Sequence, residues 1–182
     1  MVPGYLYGTY REAQIAFDLA AIAERAGIPF LQRRATGLDP TQRLLHLEDG
    51  STRPYDLISF NVGSRAAGAN SAAVGGHAVL VKPMSEAVRL KQRLEALAAS
   101  TAPGSRTVAV VGGGAAGVEV ACSAERLLAT NGRDRQVTIV EAGDAILAGY
   151  SEGFRRLAAR VLQRKSIRIL TGGRVESVAA DS

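Results

Sequence analysis

The run T-V-A-V-V-G-G-G-A-A-G-V-E-V-A, residues 107–121, contains Gly112-x-Gly114-x-x-Gly117. That spacing suits chemistry performed by the backbone alone, the capture of a pyrophosphate at the start of a helix. Gly112 permits a tight strand-to-helix turn, Gly114 lets the main chain approach a phosphate that a Cβ would obstruct, and Gly117 brings helix and strand close together. Gly113 completes the turn. The helix that follows offers unpaired N–H groups, those of Ala115 and Ala116 among them, so the helix end takes the place of a basic side chain.

A carboxylate is the second expected part. Glu141 lies 24 residues past Gly117 at the end of V-T-I-V-E, where it is placed to accept hydrogen bonds from adenosine ribose hydroxyls. A 2′-phosphate would set negative charge against it, and Ala142 and Gly143 follow it rather than an arginine. NAD(H) is therefore expected in preference to NADP(H). Arg155 and Arg156, one element later, are the cations that would oppose this preference.

These groups need a scaffold, and the pattern around them supplies one. Thr107–Val111 reads as a β-branched strand, a helix runs to about Ala129, and Gln136–Glu141 is a second strand. A helix over about Ser151–Lys165 and a strand at Ile167–Leu170 follow. The order β-α-β-α-β is half of a doubly wound parallel sheet. The expected fold class is α/β: a Rossmann-like parallel sheet with helices on both faces, plus an upstream α/β portion containing a β-hairpin.

T-A-P-G-S at 101–105 is the clearest linker, so the domain boundary is expected there. Upstream of it, Ile15, Leu19, Ile22 and Ala26 at helical spacing predict a helix over Arg11–Ala26, stopped by Gly27. Short strands are expected at Ile28–Leu31 and Arg43–Glu48, the second turning at Asp49–Gly50. Tyr55–Val62 reads as a more buried strand ending at Gly63–Ser64. Residues 65–77 are mostly small and predict a surface loop, before an extended piece at Val79–Val81 and a helix over Ser85–Ala99.

Gly112-x-Gly114-x-x-Gly117-x-Glu119-x-Ala121 resembles the extended nicotinamide-domain motif of the pyridine nucleotide-disulfide oxidoreductase superfamily, flavoproteins with two dinucleotide-binding domains. Y-D-L-I-S-F-N-V-G-S, residues 55–64, resembles the second flavin-domain motif of the same families, with Asn61 and Val62 replacing Ala and Thr. P-G-Y-L-Y-G-T-Y near the start, V-K-P at 81–83 and the run G-G-G-A-A-G-V-E are similar to the type II NADH dehydrogenase-like group, including members associated with selenide, water dikinase.

The resemblance implies a partial FAD-binding-domain-like segment over 1–100, lacking its N-terminal glycine motif, and an NAD(H)-binding half-domain over 106–182. It implies an internal piece of a longer flavoprotein. It sets Gly63 and Ser64 against FAD, and Glu119 near the junction of nicotinamide and flavin as the candidate catalytic residue; Lys82 is a flavin- or loop-proximal cation by that resemblance and a surface lysine without it. The implied activity is FAD-dependent NAD(P)H:acceptor oxidoreduction, with hydride passing from NADH to flavin and on to an acceptor these residues do not specify. The implied cofactors are NAD(H) and FAD. A non-catalytic NAD(H)-binding or sensing module without flavin is the alternative.

The 182 residues leave room for one ordinary domain or two small ones, and 47% hydrophobic content supports a real core. The formal charge of +5 comes from 19 Arg and 3 Lys against 17 acids, with the arginines scattered singly or in pairs and not interleaved with the five Tyr and four Phe. Nucleic acid is not the expected partner. Cys122 stands alone, so a disulfide framework or cysteine-pair redox centre within this chain is excluded, and a small inert hydrophobe is expected. His46 and His77 are too few for a metal cluster, and no metal is expected. With neither a signal peptide nor an apolar run of membrane length, a cytoplasmic protein is expected. The oligomeric state stays open, with a dimer among the options.

Overall fold

The structure, a computed structural model, describes residues 2–64, 77–101, 104, 106–130 and 134–179. The expected small-residue loop therefore lies, His77 apart, outside the described residues, as do positions 102, 103 and 105 of the expected linker. Close packing groups the chain into two units, residues 16–63 and residues 1–15 with 64–182.

In the first unit, helix α2 (Leu19–Ala26) begins where Asp18 Oδ1 accepts the Ala21 N–H at 3.0 Å, and ends at Gly27 with φ of +64°. The single helix expected over Arg11–Ala26 is thus corrected: Glu12–Gln14 form a separate 3-10 turn, and the Asp18 cap restarts the chain as α2. Strands β1 (Ala35–Asp39), β2 (Leu44–Leu47) and β3 (Thr52–Pro54) form an antiparallel sheet in sequence order. Asp49–Gly50 turns β2 into β3, with Gly50 at φ +80° and Asp49 Oδ1 accepting the Ser51 N–H at 3.0 Å.

Two expected strands are absent here. Ile28–Leu31 is irregular, with Ile28 61% exposed, and Tyr55–Val62 is irregular, with Leu57 91% exposed. An apolar run becomes a buried strand only when neighbouring strands take its N–H and C=O groups, and no strand lies beside either segment among the described residues. Val79–Val81 likewise joins no sheet.

The second unit is built on a parallel sheet of β4 (Arg106–Val111), β5 (Arg135–Val140) and β6 (Ile167–Leu170). Val110 pairs with Ile139, and Ile139 with Ile169. Helix α4 (Ala115–Ala129) joins β4 to β5, and α5 (Glu152–Arg164) joins β5 to β6. Val120, Ala121, Ala124 and Leu128 of α4 meet Val110, Val137, Ile139 and Ile167 of the strands and Leu162 of α5 in one core. Burying each valine, leucine or isoleucine among them contributes about 1.5–3 kcal/mol, and the two alanines let α4 lie close on the sheet.

Glu125 of α4 ties the layer together. Its Oε1 is 2.8 Å from Arg135 Nη2 of β5, and its Oε2 is 3.8 Å from Nζ of Lys165 at the end of α5. Thr107, Ala109 and Val111 of β4 point the other way and are exposed, so that edge of the sheet is open on its second face among the described residues.

Helices α1 (Val2–Leu6) and α3 (Met84–Ala99) pack against α4 and add Leu6, Leu94 and Ala98 to the core. Arg106, 5% exposed, fixes the end of α3: its Nε donates to Leu97 O and its Nη2 to Ser100 O, both at 2.7 Å. Hydrogen bonds from a charged group contribute about 1.5–3 kcal/mol, so Arg106→Met is expected to lower unfolding free energy by about 2–3 kcal/mol in a urea titration. A loss under about 0.5 kcal/mol, the usual span of an inconsequential surface change, would show that the clamp is idle.

Candidate dinucleotide site

The three glycines occupy the turn from β4 into α4, and each has a different neighbourhood. Gly112 has φ of +104°, a conformation side chains rarely adopt, and its N–H donates to Val140 O at 2.8 Å. A Cβ on Gly117 would collide with Gly112 O, so only glycine lets the first turn of α4 pass over the β4 end. Gly114 differs. It is the N-cap of α4 at φ −71°, and a Cβ there would meet nothing within 4 Å beyond its own residue and chain neighbours.

The space in front of Gly114 is open, as the approach of a pyrophosphate to the main chain would require. No side chain caps α4, so the first N–H groups of the helix, Ala115 and Ala116 included, keep their donors for an anion. Both alanines are exposed. The residues present thus fit the pyrophosphate of a dinucleotide.

Glu141 follows β5 directly and comes back over the turn. Its Oε2 accepts the Gly113 N–H at 2.6 Å and its Oε1 the Gly143 N–H at 2.8 Å. The backbone N–H of Gly143, then that of Gly113, hold its carboxyl below the ordinary glutamate range. The carboxylate therefore sits within hydrogen-bonding reach of the glycine turn.

Ile146 and Leu147 close the back of the site, and the motif spacing does not point to them. Leu147 N–H donates to Gly113 O at 2.8 Å, and the two side chains are only 5% and 4% exposed. An apolar pair soon after the carboxylate is the one signal the sequence carries, but its contact with Gly113 depends on Leu147 taking φ of +54°.

The remaining candidates fall outside this cluster. Glu119 is exposed on the second turn of α4, and its carbonyl accepts from Ser123 Oγ at 2.9 Å. Arg156 pairs with Glu152 at 2.7 Å on α5. Burial pushes the Cys122 thiol up. His46 is exposed on β2, between Leu45 and the buried Leu47. Ser64 and Lys82, both set near flavin by the resemblance, do meet: Nζ donates to Oγ at 3.1 Å. Gly63, at φ +74°, ends an irregular exposed stretch instead of a strand.

A parallel β-α-β-α-β unit with a glycine turn at a helix start and a carboxylate after the next strand defines a dinucleotide-binding protein class. The family model described as pyridine nucleotide-disulphide oxidoreductase matches residues 7–182, and the chain belongs to that family. It is 29% identical over 171 residues to demethylphylloquinone reductase NdbB of Synechocystis, covering 92% of this chain and 41% of that protein. It is 22% identical to the external alternative NAD(P)H-ubiquinone oxidoreductase B4, mitochondrial, of Arabidopsis thaliana, covering 100% of this chain and 36% of that one. The chain thus spans less than half the length of these relatives.

Among solved structures, NDH2 of Plasmodium falciparum in complex with NADH superposes with a TM-score of 0.81 at 18% identity, covering 98% of this chain and 41% of that one. The sulfide:quinone oxidoreductase of Aquifex aeolicus gives 0.81 at 18% identity, covering 99% and 43%. Both share the fold. No helix among the described residues is long and apolar enough to cross a membrane.

Proposed function

We propose that this chain is the NADH-binding part of an FAD-dependent NAD(P)H:acceptor oxidoreductase. The carrying observation is the open space at Gly114, where no atom beyond the residue and its chain neighbours lies within 4 Å of the position a Cβ would take, beside a turn that the Glu141 carboxylate holds at Gly113. Gly112, Gly113, Gly114, Ala115, Ala116 and Gly117 seat the pyrophosphate, and Glu141 accepts from the adenosine ribose. A 2′-phosphate meets that carboxylate, so NADH binds in preference to NADPH. Residues 106–182 form the nicotinamide half-domain, and residues 1–100 are the flavin-domain-like segment.

In this class of reaction a hydride leaves the nicotinamide for a flavin. The chain's own contribution is to bind the dinucleotide, orient its ring and exclude water, with Glu119 on the helix beside the turn. Quinones and ferredoxins, named for relatives, are the acceptor classes to test first. The irregular Tyr55–Val62 segment favours a second reading, a module that binds NAD(H) without flavin. A visible spectrum separates them: a yellow protein bleached by NADH without oxygen supports the oxidoreductase, and a colourless one that binds NADH supports the module. Failure of the folded protein to bind NADH overturns both.

The lowered Glu141 pKa gives a pH prediction with a definite sign. A carboxyl depressed in the folded state contributes stability above its unfolded pKa and loses it as pH falls through the folded value. Affinity for NAD+ is therefore expected to hold across the ordinary glutamate range and to fall only below it. Calorimetric titrations at stepped pH check this, and a decline centred on the ordinary glutamate pKa would contradict it.

A further inference from the structure

Each oxygen of Glu141 spends one lone pair on a backbone N–H and keeps another for a ligand hydroxyl. Gly113 is meanwhile gripped at both ends of its backbone. Its N–H is held by Glu141 Oε2 at 2.6 Å and its C=O by the Leu147 N–H at 2.8 Å. Ile146 packs closely behind it, its Cγ2 lying 2.7 Å from where a Gly113 Cβ would stand. Leu147 keeps this arrangement from the left-handed region, φ +54°, while its side chain is buried. A non-glycine residue there stores strain that the surroundings must offset, a feature that clusters at ligand clamps.

We propose that Glu141 is a positioning residue for the glycine turn as well as a ribose acceptor: with the Ile146–Leu147 corner it locks the Gly113 peptide before a dinucleotide arrives, aiming the N–H groups beyond it at the pyrophosphate. This rests on the dinucleotide reading of the turn. A carboxylate is required for both tasks. Glutamine has one acceptor oxygen, and its NH2 would face the Gly113 or Gly143 N–H, donor against donor.

The test crosses a protein change with a ligand change. Wild type and Glu141→Gln are titrated with NADH and with an NADH analogue whose adenosine ribose lacks its 2′ and 3′ hydroxyls. A residue acting only through those hydroxyls leaves the analogue's affinity unchanged on substitution. The positioning role predicts that Glu141→Gln weakens the analogue a further tenfold, roughly the effect of losing one charge-assisted hydrogen bond.

The free protein gives a second readout that needs no ligand. The Gly113 and Gly143 amide resonances are expected to titrate together with the Glu141 carboxylate, and to lose that titration in Glu141→Gln. Equal analogue affinity in both proteins, or amides that ignore the carboxylate, overturns the lock. If wild type binds neither ligand, the dinucleotide reading fails, and the amide titration still decides whether the lock exists.

Discussion

Gly117→Ala is expected to lose about 3 kcal/mol or more of folding stability, because the new methyl group would collide with Gly112 O. Overpacking is tolerated where a flexible side chain can swing aside. Here the obstacle is main chain, and Gly112 is itself pinned by its N–H bond to Val140 O at 2.8 Å. Relief requires α4 to move off the sheet, which would unpack Val120, Ala121 and Ala124 from β4 and β5. Against a total stability of about 5–15 kcal/mol, this is a large share. The melting temperature should fall by roughly 6–12 °C. An unchanged melting temperature would mean that helix and strand are not in close contact at this glycine.

Gly114→Asp should do the reverse, sparing the fold and abolishing the ligand. At φ −71° and with nothing beyond its chain neighbours within 4 Å of a Cβ, position 114 accepts a side chain without strain. Aspartate is a better N-cap than glycine and its charge suits a helix N-terminus, so stability should hold or rise by a few tenths of a kcal/mol. The same carboxylate stands where the pyrophosphate would lie. Two unit charges about 4 Å apart repel by about 4 kcal/mol at an effective dielectric of 20, so NADH affinity should fall at least about a hundredfold. A variant that melts like wild type and binds NADH equally well would remove Gly114 from the site.

The contrast between Gly117 and Gly114 also shows what the residues alone disclose. The glycine spacing, the β-branched run before it and the helical pattern after it are legible because local geometry and chemistry agree there, and β6 falls on Ile167–Leu170 as its pattern predicts. The acid at 141 is legible by its place after β5. Its bond to the Gly113 N–H is not, since it joins residues 28 apart through a turn whose path only the fold determines. Leu147 is hidden for a related reason: a leucine at positive φ contradicts its own local preference.

Upstream, local pattern and tertiary surroundings part company. Tyr55–Val62 has the apolar content of a buried strand, yet Leu57 and Val62 are 91% and 86% exposed because no neighbouring strand pairs with the segment among the described residues. Strand β1 leaves no clear pattern because Gly37 interrupts it and its pairing to β2 carries an irregularity between Ala35 and Gly37. Helix α3 precedes the linker in sequence but packs on α4, so the order of motifs and the grouping of contacts differ.

If the Gly114 cradle and Glu141 together hold NADH, calorimetric titration of NADH and NADPH into the folded wild-type protein, with Gly114→Asp as the paired control, will show it most directly. The expected result is one NADH site, weaker NADPH, and loss of both in the variant at an unchanged melting temperature. No heat of NADH binding to folded wild type, or equal binding by Gly114→Asp, would contradict it.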